Sequence, residues 1–342
     1  MAISSAKPFA KVTWATAIDM KSGRPIEVAG SRYEDGEVLM WPGPAGAHNW
    51  QPMSWNPNTK LMYFPYHDLP GYYNDKAIKH AEYQAEPLVL HTGVAYAEED
   101  SDPSIGSSGI MAWDPLRQKI AWQHPNPGVW NGGTMTTGGD LVFQGLADGR
   151  FIAYRASDGE KIWEYDAQHG IAAPPITFAL DGQQFIALPV GWGGGLAMVG
   201  GSFGSQHGWP YGMHPRRLLV FALNGKAELP TTPPPMQVTP LDDPSFAIAP
   251  ESVDAGKGLY IKHCAMCHGP GAVAAGGTPD LRASAVVLNL EATSDIIIAG
   301  QRVLRGMPQF DEMDKPQVEA IQHYIRDRAR KDLQKKQIVD AE

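Results

Sequence analysis

Cys264-Ala265-Met266-Cys267-His268 constrains this chain more than any other stretch. Two cysteines separated by two residues, with histidine directly after the second, form the attachment signature of a c-type haem. Each thiol can add across a porphyrin vinyl group, and the adjacent imidazole is then held beneath the iron as its proximal ligand. The chain has only 2 cysteines, so none is left for a zinc site or a disulfide framework. Haem iron in electron-transfer proteins also accepts a methionine thioether on the opposite side, which raises its potential. Met307, in Arg305-Gly306-Met307-Pro308, is the expected sixth ligand, and Met313 is its rival. Pro308 biases Met307 away from helical geometry, and Met266, inside the attachment loop, cannot reach the far face.

The segments around this motif read as helices. Glu251 to His263 leads into the haem loop. Thr293 is the expected cap of a helix from Ser294 to Leu304, with Ile296, Ile297, Ile298 and Val303 as apolar contacts. Asp314 is the expected cap of the last helix, with Pro316 tolerated in its first turn. Val318, Ile321, Tyr324 and Ile325 then make a stripe at helical spacing. A small all-α domain built around haem follows, and over residues 250–330 it resembles class I cytochrome c.

A chain of 342 residues is long for that domain alone, so about two domains are expected. There are 28 basic and 37 acidic residues, a formal charge of -9, which argues against a general nucleic-acid surface. No apolar run of about eighteen residues predicts a membrane span. The 10 tryptophans all precede the haem segment, the last being Trp209. Thioether attachment of haem belongs outside the cytoplasm, yet Met1-Ala2-Ile3-Ser4-Ser5-Ala6 lacks the basic start and apolar stretch of a secretory signal. A removed signal or a longer precursor is expected, and a periplasmic location with it.

Upstream of the haem segment, short strands and turns alternate. Phe9, Val12 and Trp14 alternate before Ala17-Ile18-Asp19 and the turn Ser22-Gly23. Ala112-Trp113-Asp114-Pro115 leads to Trp122, and Ala153-Tyr154-Arg155 leads through Asp158-Gly159 to Trp163. The separation of these two copies falls in the range of roughly 40–45 residues that propeller blades show. Further strands are predicted at 60–66, 140–144, 149–154, 176–180, 184–190 and 217–223. Residues 67–108, with His67, Tyr72, Tyr73 and His80, read as a longer irregular insertion. Pro230, Pro233, Pro234, Pro235, Pro240, Pro244 and Pro250 mark a semi-rigid linker. The predicted organisation is three to four blades over 1–225, a linker over 226–250, and the haem domain over 251–342.

Several stretches carry a closer likeness: Val12-Thr13-Trp14-Ala15, His48-Asn49-Trp50-Gln51-Pro52-Met53, Trp130-Asn131-Gly132-Gly133-Thr134, Gly138-Gly139-Asp140-Leu141-Val142-Phe143-Gln144-Gly145, and Gly191-Trp192-Gly193-Gly194. With the cytochrome segment they resemble the C-terminal portion of a quinohaemoprotein alcohol dehydrogenase. That resemblance implies an eight-bladed propeller with pyrroloquinoline quinone (PQQ) and calcium, a primary alcohol substrate, and a haem c. It also implies an external electron acceptor such as a copper protein or cytochrome. Asn49 and Trp50 resemble the segment near the reactive carbonyls of the quinone. Trp130 resembles the inner-edge indole of the next blade, and Gly191 and Trp192 the last inner-strand contact. Trp122 and Trp163 read instead as packing indoles, and Asp148 as a turn residue beside Gly149. The family's catalytic aspartate, its calcium-binding glutamate and asparagine, the tryptophan under the quinone plane and the vicinal cysteine pair have no counterpart here, so no catalytic residue is assigned. The expectation is a truncated dehydrogenase that keeps the haem half of the electron path. Its alternatives are a non-enzymatic haem c carrier and one half of a split enzyme whose N-terminal half is separate.

Overall fold

The computed structural model describes residues 5–75, 107–126, 130–192, 216–232, 238–274 and 278–339. His80, Gly193, Gly194, Trp209, Pro233, Pro234 and Pro235 lie outside these residues. Among the described residues, five antiparallel sheets precede the helical segment. A hairpin pairs β1 (Ala15–Ile18) with β2 (Pro25–Glu27), and β3 (Val38–Met40) pairs with β6 (Gly71–Tyr73). The four-stranded meander β4-β5-β7-β8 is built from Ser54–Asn56, Leu61–Asp68, Ser107–Asp114 and Lys119–Pro125. A second meander, β9-β10-β11-β12, uses Thr134–Thr137, Leu141–Gly145, Arg150–Arg155 and Lys161–Asp166. The last sheet joins β13 (Ile176–Leu180), β14 (Gln183–Val190) and β15 (Arg217–Ala222).

The strands expected from residue 60 onward are present, but the alternating Phe9, Val12 and Trp14 form no strand, the first beginning at Ala15, and one further boundary differs. The expected irregular insertion begins later than residue 67: His67 and Asp68 end β5, paired with Ser108 and Ser107. Tyr72 and Tyr73 are also strand residues, opposite Leu39 and Val38. Backbone ladder bonds satisfy these groups although the side chains give no clean alternation.

Neighbouring meanders are joined through their first strands. Ser54 Oγ lies 2.8 Å from Thr134 Oγ1, which donates to the Tyr63 carbonyl at 2.8 Å. Asn56 Nδ2 donates to Thr136 Oγ1 at 2.9 Å. At the other end, Trp122 Nε1 donates to the Ala156 carbonyl of the next sheet at 3.0 Å. A Cβ at Gly159, where φ is +81°, would lie 2.6 Å from that indole. Glycine is therefore required there both for its backbone and for the tryptophan it receives. Trp163 packs on Phe151 and Phe221, so both repeat-end indoles serve packing, as their spacing indicates. The core between the two meanders holds Tyr63, Ile110, Val142, Leu146, Ile152 and Tyr154, all fully buried or nearly so.

The helical segment packs α1 (Pro250–His263) and α3 (Leu290–Ile297) against α4 (Lys315–Val339), with α2 (Ala265–His268) a single turn that contains Cys267 and His268. The stripe Val318, Ile321, Tyr324 and Ile325 is buried as expected. Asp314 caps α4: its Oδ1 accepts from Gln317 N–H while Gln317 Oε1 accepts from Asp314 N–H, a reciprocal capping box. The expected cap at Thr293 is displaced. Asn289 caps α3 by accepting from Ala292 N–H, and the Thr293 hydroxyl bonds back to the Asn289 and Val286 carbonyls. The helix ends at Ile297 rather than Leu304, and Val303–Arg305 forms a separate 3-10 turn beyond Gly300.

The proline-rich crossing is anchored at both of its described ends. Thr232 N–H donates to Gln168 Oε1 at 2.7 Å beside the second meander. Leu241 N–H donates to the Arg282 carbonyl, and Arg330 forks onto the Asp242 carboxylate at 2.9 and 3.0 Å. The segment around 241–246 thus lies along α4.

Candidate functional site

His268 ends α2, and its ring is buried. Its Nδ1 stands 2.9 Å from the Pro279 carbonyl, which can only accept, so Nδ1 carries the proton. That leaves Nε2 with the lone pair that iron needs, and a backbone carbonyl fixing the tautomer is the usual arrangement behind a metal-binding histidine. Burial pushes the His268 pKa down, against the Pro279 bond and the nearby Asp280, which raise it. The ring is thereby held neutral, the ligating form.

The loop that carries Pro279 is itself pinned. Asp280 is buried and accepts from Ala274 N–H, from Arg282 N–H and from the Arg282 guanidinium. Arg282 reaches on to Asp332 of α4 at 2.8 Å. Thr278 Oγ1 donates to the Cys267 carbonyl at 2.7 Å, tying the same loop to the attachment turn. None of these partners was visible as a motif; an aspartate two residues before an arginine is the one local signal.

Cys264 and Cys267 are half-buried free thiols one helical turn apart. Burial, with Cys267 beside it, pushes the Cys264 thiol up to about 12. A reactive redox cysteine needs the opposite shift, so Cys264 is not activated for disulfide exchange. Met307 is half-buried and packs on the helical core, on the exposed turn that follows Val303–Arg305. Met313 is a buried member of that core. The chemistry of these donors, two thiols, a neutral imidazole and a thioether, fits a c-type haem.

A second group of candidates gathers at the ends of the sheets. Trp130 packs with Ala147 and Trp192, and Trp192 Nε1 donates to the Ala147 carbonyl at 3.2 Å. Asn131 Oδ1 accepts from Ala147 N–H at 2.9 Å. A Cβ at Gly170 would fall 1.1 Å from Trp192 Nε1, so only glycine admits the indole there. Gly191 sits at φ +136° and donates its N–H to the Gly170 carbonyl. Asn49 turns back locally: Nδ2 donates to the Ala45 carbonyl and Oδ1 accepts from Trp50 N–H. Trp50 is half-exposed, at 50 %. The structure therefore brings Trp130, Trp192 and Gly191 together, whereas Asn49 spends its amide within its own turn. His67, absent from the sequence-derived candidates, lies edge-on to Trp130 with centroids 5.4 Å apart. Its only sequence signal is an imidazole at the end of a strand whose neighbours are aromatic and apolar.

Asp148 is a turn residue, bonded to Arg150 through its backbone and guanidinium. Among the described residues no group of three or more His, Cys, Asp or Glu side chains is placed to hold a metal ion, and no helix is long and apolar enough to cross a membrane.

Two family models match: residues 109–186 fit "Glucose/ethanol/alcohol dehydrogenase, beta-propeller domain" and residues 251–325 fit "Cytochrome C oxidase, cbb3-type, subunit III". Quinohemoprotein alcohol dehydrogenase ADH IIB of Pseudomonas putida is 44% identical over 331 residues, covering 96% of this chain and 47% of that protein. The solved structure of ADHIIG from Pseudomonas putida superposes with a TM-score of 0.84 at 36% identity, covering 95% of this chain and 48% of that one. The enzyme of Comamonas testosteroni gives 0.76 at 33% identity, covering 96% and 48%. The chain spans about half the length of the curated relatives it matches. Propeller-type sheets followed by a helical cytochrome-type segment, matched along almost the whole chain, make it similar to about half of a quinohaemoprotein alcohol dehydrogenase.

Proposed function

We propose that this chain carries the haem half of a PQQ-dependent alcohol dehydrogenase, taking electrons from the quinone through a covalently attached haem c. The observation that carries this reading is the neutral, carbonyl-held His268 inside the attachment motif. Cys264 and Cys267 would form the thioethers, with His268 and Met307 as axial ligands of the iron. When bound, PQQ accepts the electrons of alcohol oxidation and the haem relays them singly to an external acceptor such as a copper protein or cytochrome. Trp130 and Trp192 offer aromatic surface for a planar ligand, and Gly191 lets the backbone approach closely. Asn49 and Trp50 are the proposed rim of the same site. A primary alcohol is the proposed substrate of the whole protein, and the periplasm its proposed location, because haem is attached there.

The sheets are read as three to four blades of an eight-bladed propeller over residues 1–225, with 226–250 as linker and 251–342 as the cytochrome domain. One observation favours the second reading, in which another polypeptide segment completes the ring. Residues directly opposite each other share a sheet face, and Ile176, Phe178, Leu180, Leu218 and Val220 fall on one face of β13-β14-β15 by their register. All five are exposed, while the opposite face, with Leu188 and Val190, packs on Phe143 and Phe151. A blade between two neighbours needs apolar residues on both faces.

The test is haem reduction. The haem-loaded chain is mixed anaerobically with chemically reduced PQQ, and the haem spectrum is followed. Reduction that saturates with quinone supports the reading; reduction only at a rate proportional to quinone, as for a free haem peptide, contradicts it. Adding PQQ, calcium and a primary alcohol then asks whether this chain alone turns over.

A further inference from the structure

Two buried polar side chains make no hydrogen bond within the fold. His67 has no exposed surface, and neither ring nitrogen has a hydrogen-bond partner. Gln51 is 1 % exposed, and both its amide oxygen and nitrogen are unpartnered. Buried polar side chains are bonded in the large majority of cases, and each exception asks for an explanation. His67 and Gln51 together supply four such atoms.

Both residues are fastened to the same short segment. His67 N–H donates to the Ala47 carbonyl at 2.8 Å, and His48 Nδ1 donates to the Pro65 carbonyl at 2.7 Å. Pro52, adjacent to Gln51, accepts from Thr134 N–H at 2.9 Å, so residues 47–52 bridge the end of β5 and the start of β9. The Trp130 indole stands beside that junction, and the His67 ring meets it at 66°. The placement is set by backbone bonds that do not involve the orphaned side-chain atoms. Asp68 also has an unpartnered Oδ1, but as the next residue of the strand its side chain projects to the other face.

We propose that His67 and Gln51 form a hydrogen-bonding site for an oxygen atom of a bound ligand, a quinone carbonyl or an alcohol hydroxyl, set against the edge of Trp130. This rests on the reading that Trp130 faces the quinone. The chemistry is well matched. A neutral imidazole supplies one N–H and one lone pair, and an amide supplies both kinds of group. Burial, with His48 nearby, holds the His67 pKa down to about 4, so at neutral pH the ring donates without bringing a charge into a buried site.

Three variants of the haem-loaded chain test this: His67→Leu, Gln51→Leu and His67→Gln. Quenching of tryptophan fluorescence by PQQ and the alcohol-induced shift in thermal midpoint are read on each. Loss of one bond predicts that His67→Leu and Gln51→Leu weaken binding about tenfold, while His67→Gln stays within about threefold. Weakened quinone binding assigns the carbonyl as the oxygen; a lost alcohol shift with quinone binding intact assigns the hydroxyl. Without ligand, His67→Leu is expected to melt no lower than the parent, because an unpaired buried polar group has been removed. Equal binding of both ligands by parent and variants overturns the assignment and leaves the quinone reading standing. A parent that binds neither ligand contradicts both. A lowered ligand-free midpoint with unchanged binding makes His67 a packing residue and also overturns it.

Discussion

His268 donates its Nδ1 proton to the carbonyl of Pro279 at 2.9 Å, and that single bond leaves Nε2 as the nitrogen that would meet the iron of a bound haem. Pro279 is held in turn by Asp280, whose carboxylate gathers four donors. Replacing Asp280 with alanine leaves the Arg282 guanidinium buried and short of its main partner. Breaking such a pair costs about 3–5 kcal/mol. The Asp280→Ala variant should therefore lower the thermal midpoint of the haem segment and shift its reduction potential. Calorimetry with redox titration measures both, and an unchanged potential would detach the Pro279 loop from control of the haem.

Met307 and Met313 are separable by what their loss disturbs. Met313 belongs to the buried cluster around Tyr260 and Phe310, so Met313→Ala should cost about 2–5 kcal/mol in stability and leave the haem six-coordinate. Met307→Ala should do the reverse, producing a high-spin haem with a lower potential and little loss of stability. Absorption and resonance Raman spectra of the two variants decide the assignment.

Arg326 has no exposed surface and carries the linker onto the haem segment. Its guanidinium donates to the carbonyls of Leu241, Leu281 and Arg282 at 2.8, 2.8 and 3.3 Å. Arg326→Met keeps the apolar stem and removes the guanidinium donor from the Leu241 carbonyl, at about 1–3 kcal/mol, while the Leu281 and Arg282 carbonyls keep the N–H groups of Ser284 and Leu241. Limited proteolysis should then cut within 238–249 before either flanking unit is digested. Cleavage elsewhere first would mean that the linker does not depend on this residue.

His67 gives a pH dependence with a definite sign. Its folded pKa is near 4, against 6.5 for the ordinary group, so between these values the unfolded chain binds more protons. Stability is full above about pH 6.5 and falls as pH drops toward 4, by roughly 3 kcal/mol in total. Denaturant titrations from pH 7 to 4 should show this slope in the parent and not in His67→Gln. A slope shared by both would place its source elsewhere.

Much of this architecture is legible in residue order because it is local. Cys264, Cys267 and His268 are adjacent, and the repeat-end indoles Trp122 and Trp163 follow turns of ordinary composition. Thr293 misleads because threonine and asparagine are both good caps, and only the backbone decides that Asn289 lies outside the helix while the Thr293 hydroxyl bonds back into it. The parts that sequence conceals depend on carbonyl acceptors, which every residue owns. Nothing in the spelling of Pro279 marks it as the partner of His268, nor Leu241 as the partner of Arg326. His67 is hidden for a different reason: a lone histidine beside aromatic residues reads as loop or core, and only its burial without partners sets it apart.

The most direct test of the account is to produce the chain with a cytochrome c maturation system and ask how it holds haem. The prediction is a haem that stays with the polypeptide through denaturation and acid extraction, and gives a low-spin, six-coordinate spectrum that Met307→Ala abolishes. Haem that is extracted freely, or a spectrum indifferent to Met307, would contradict it.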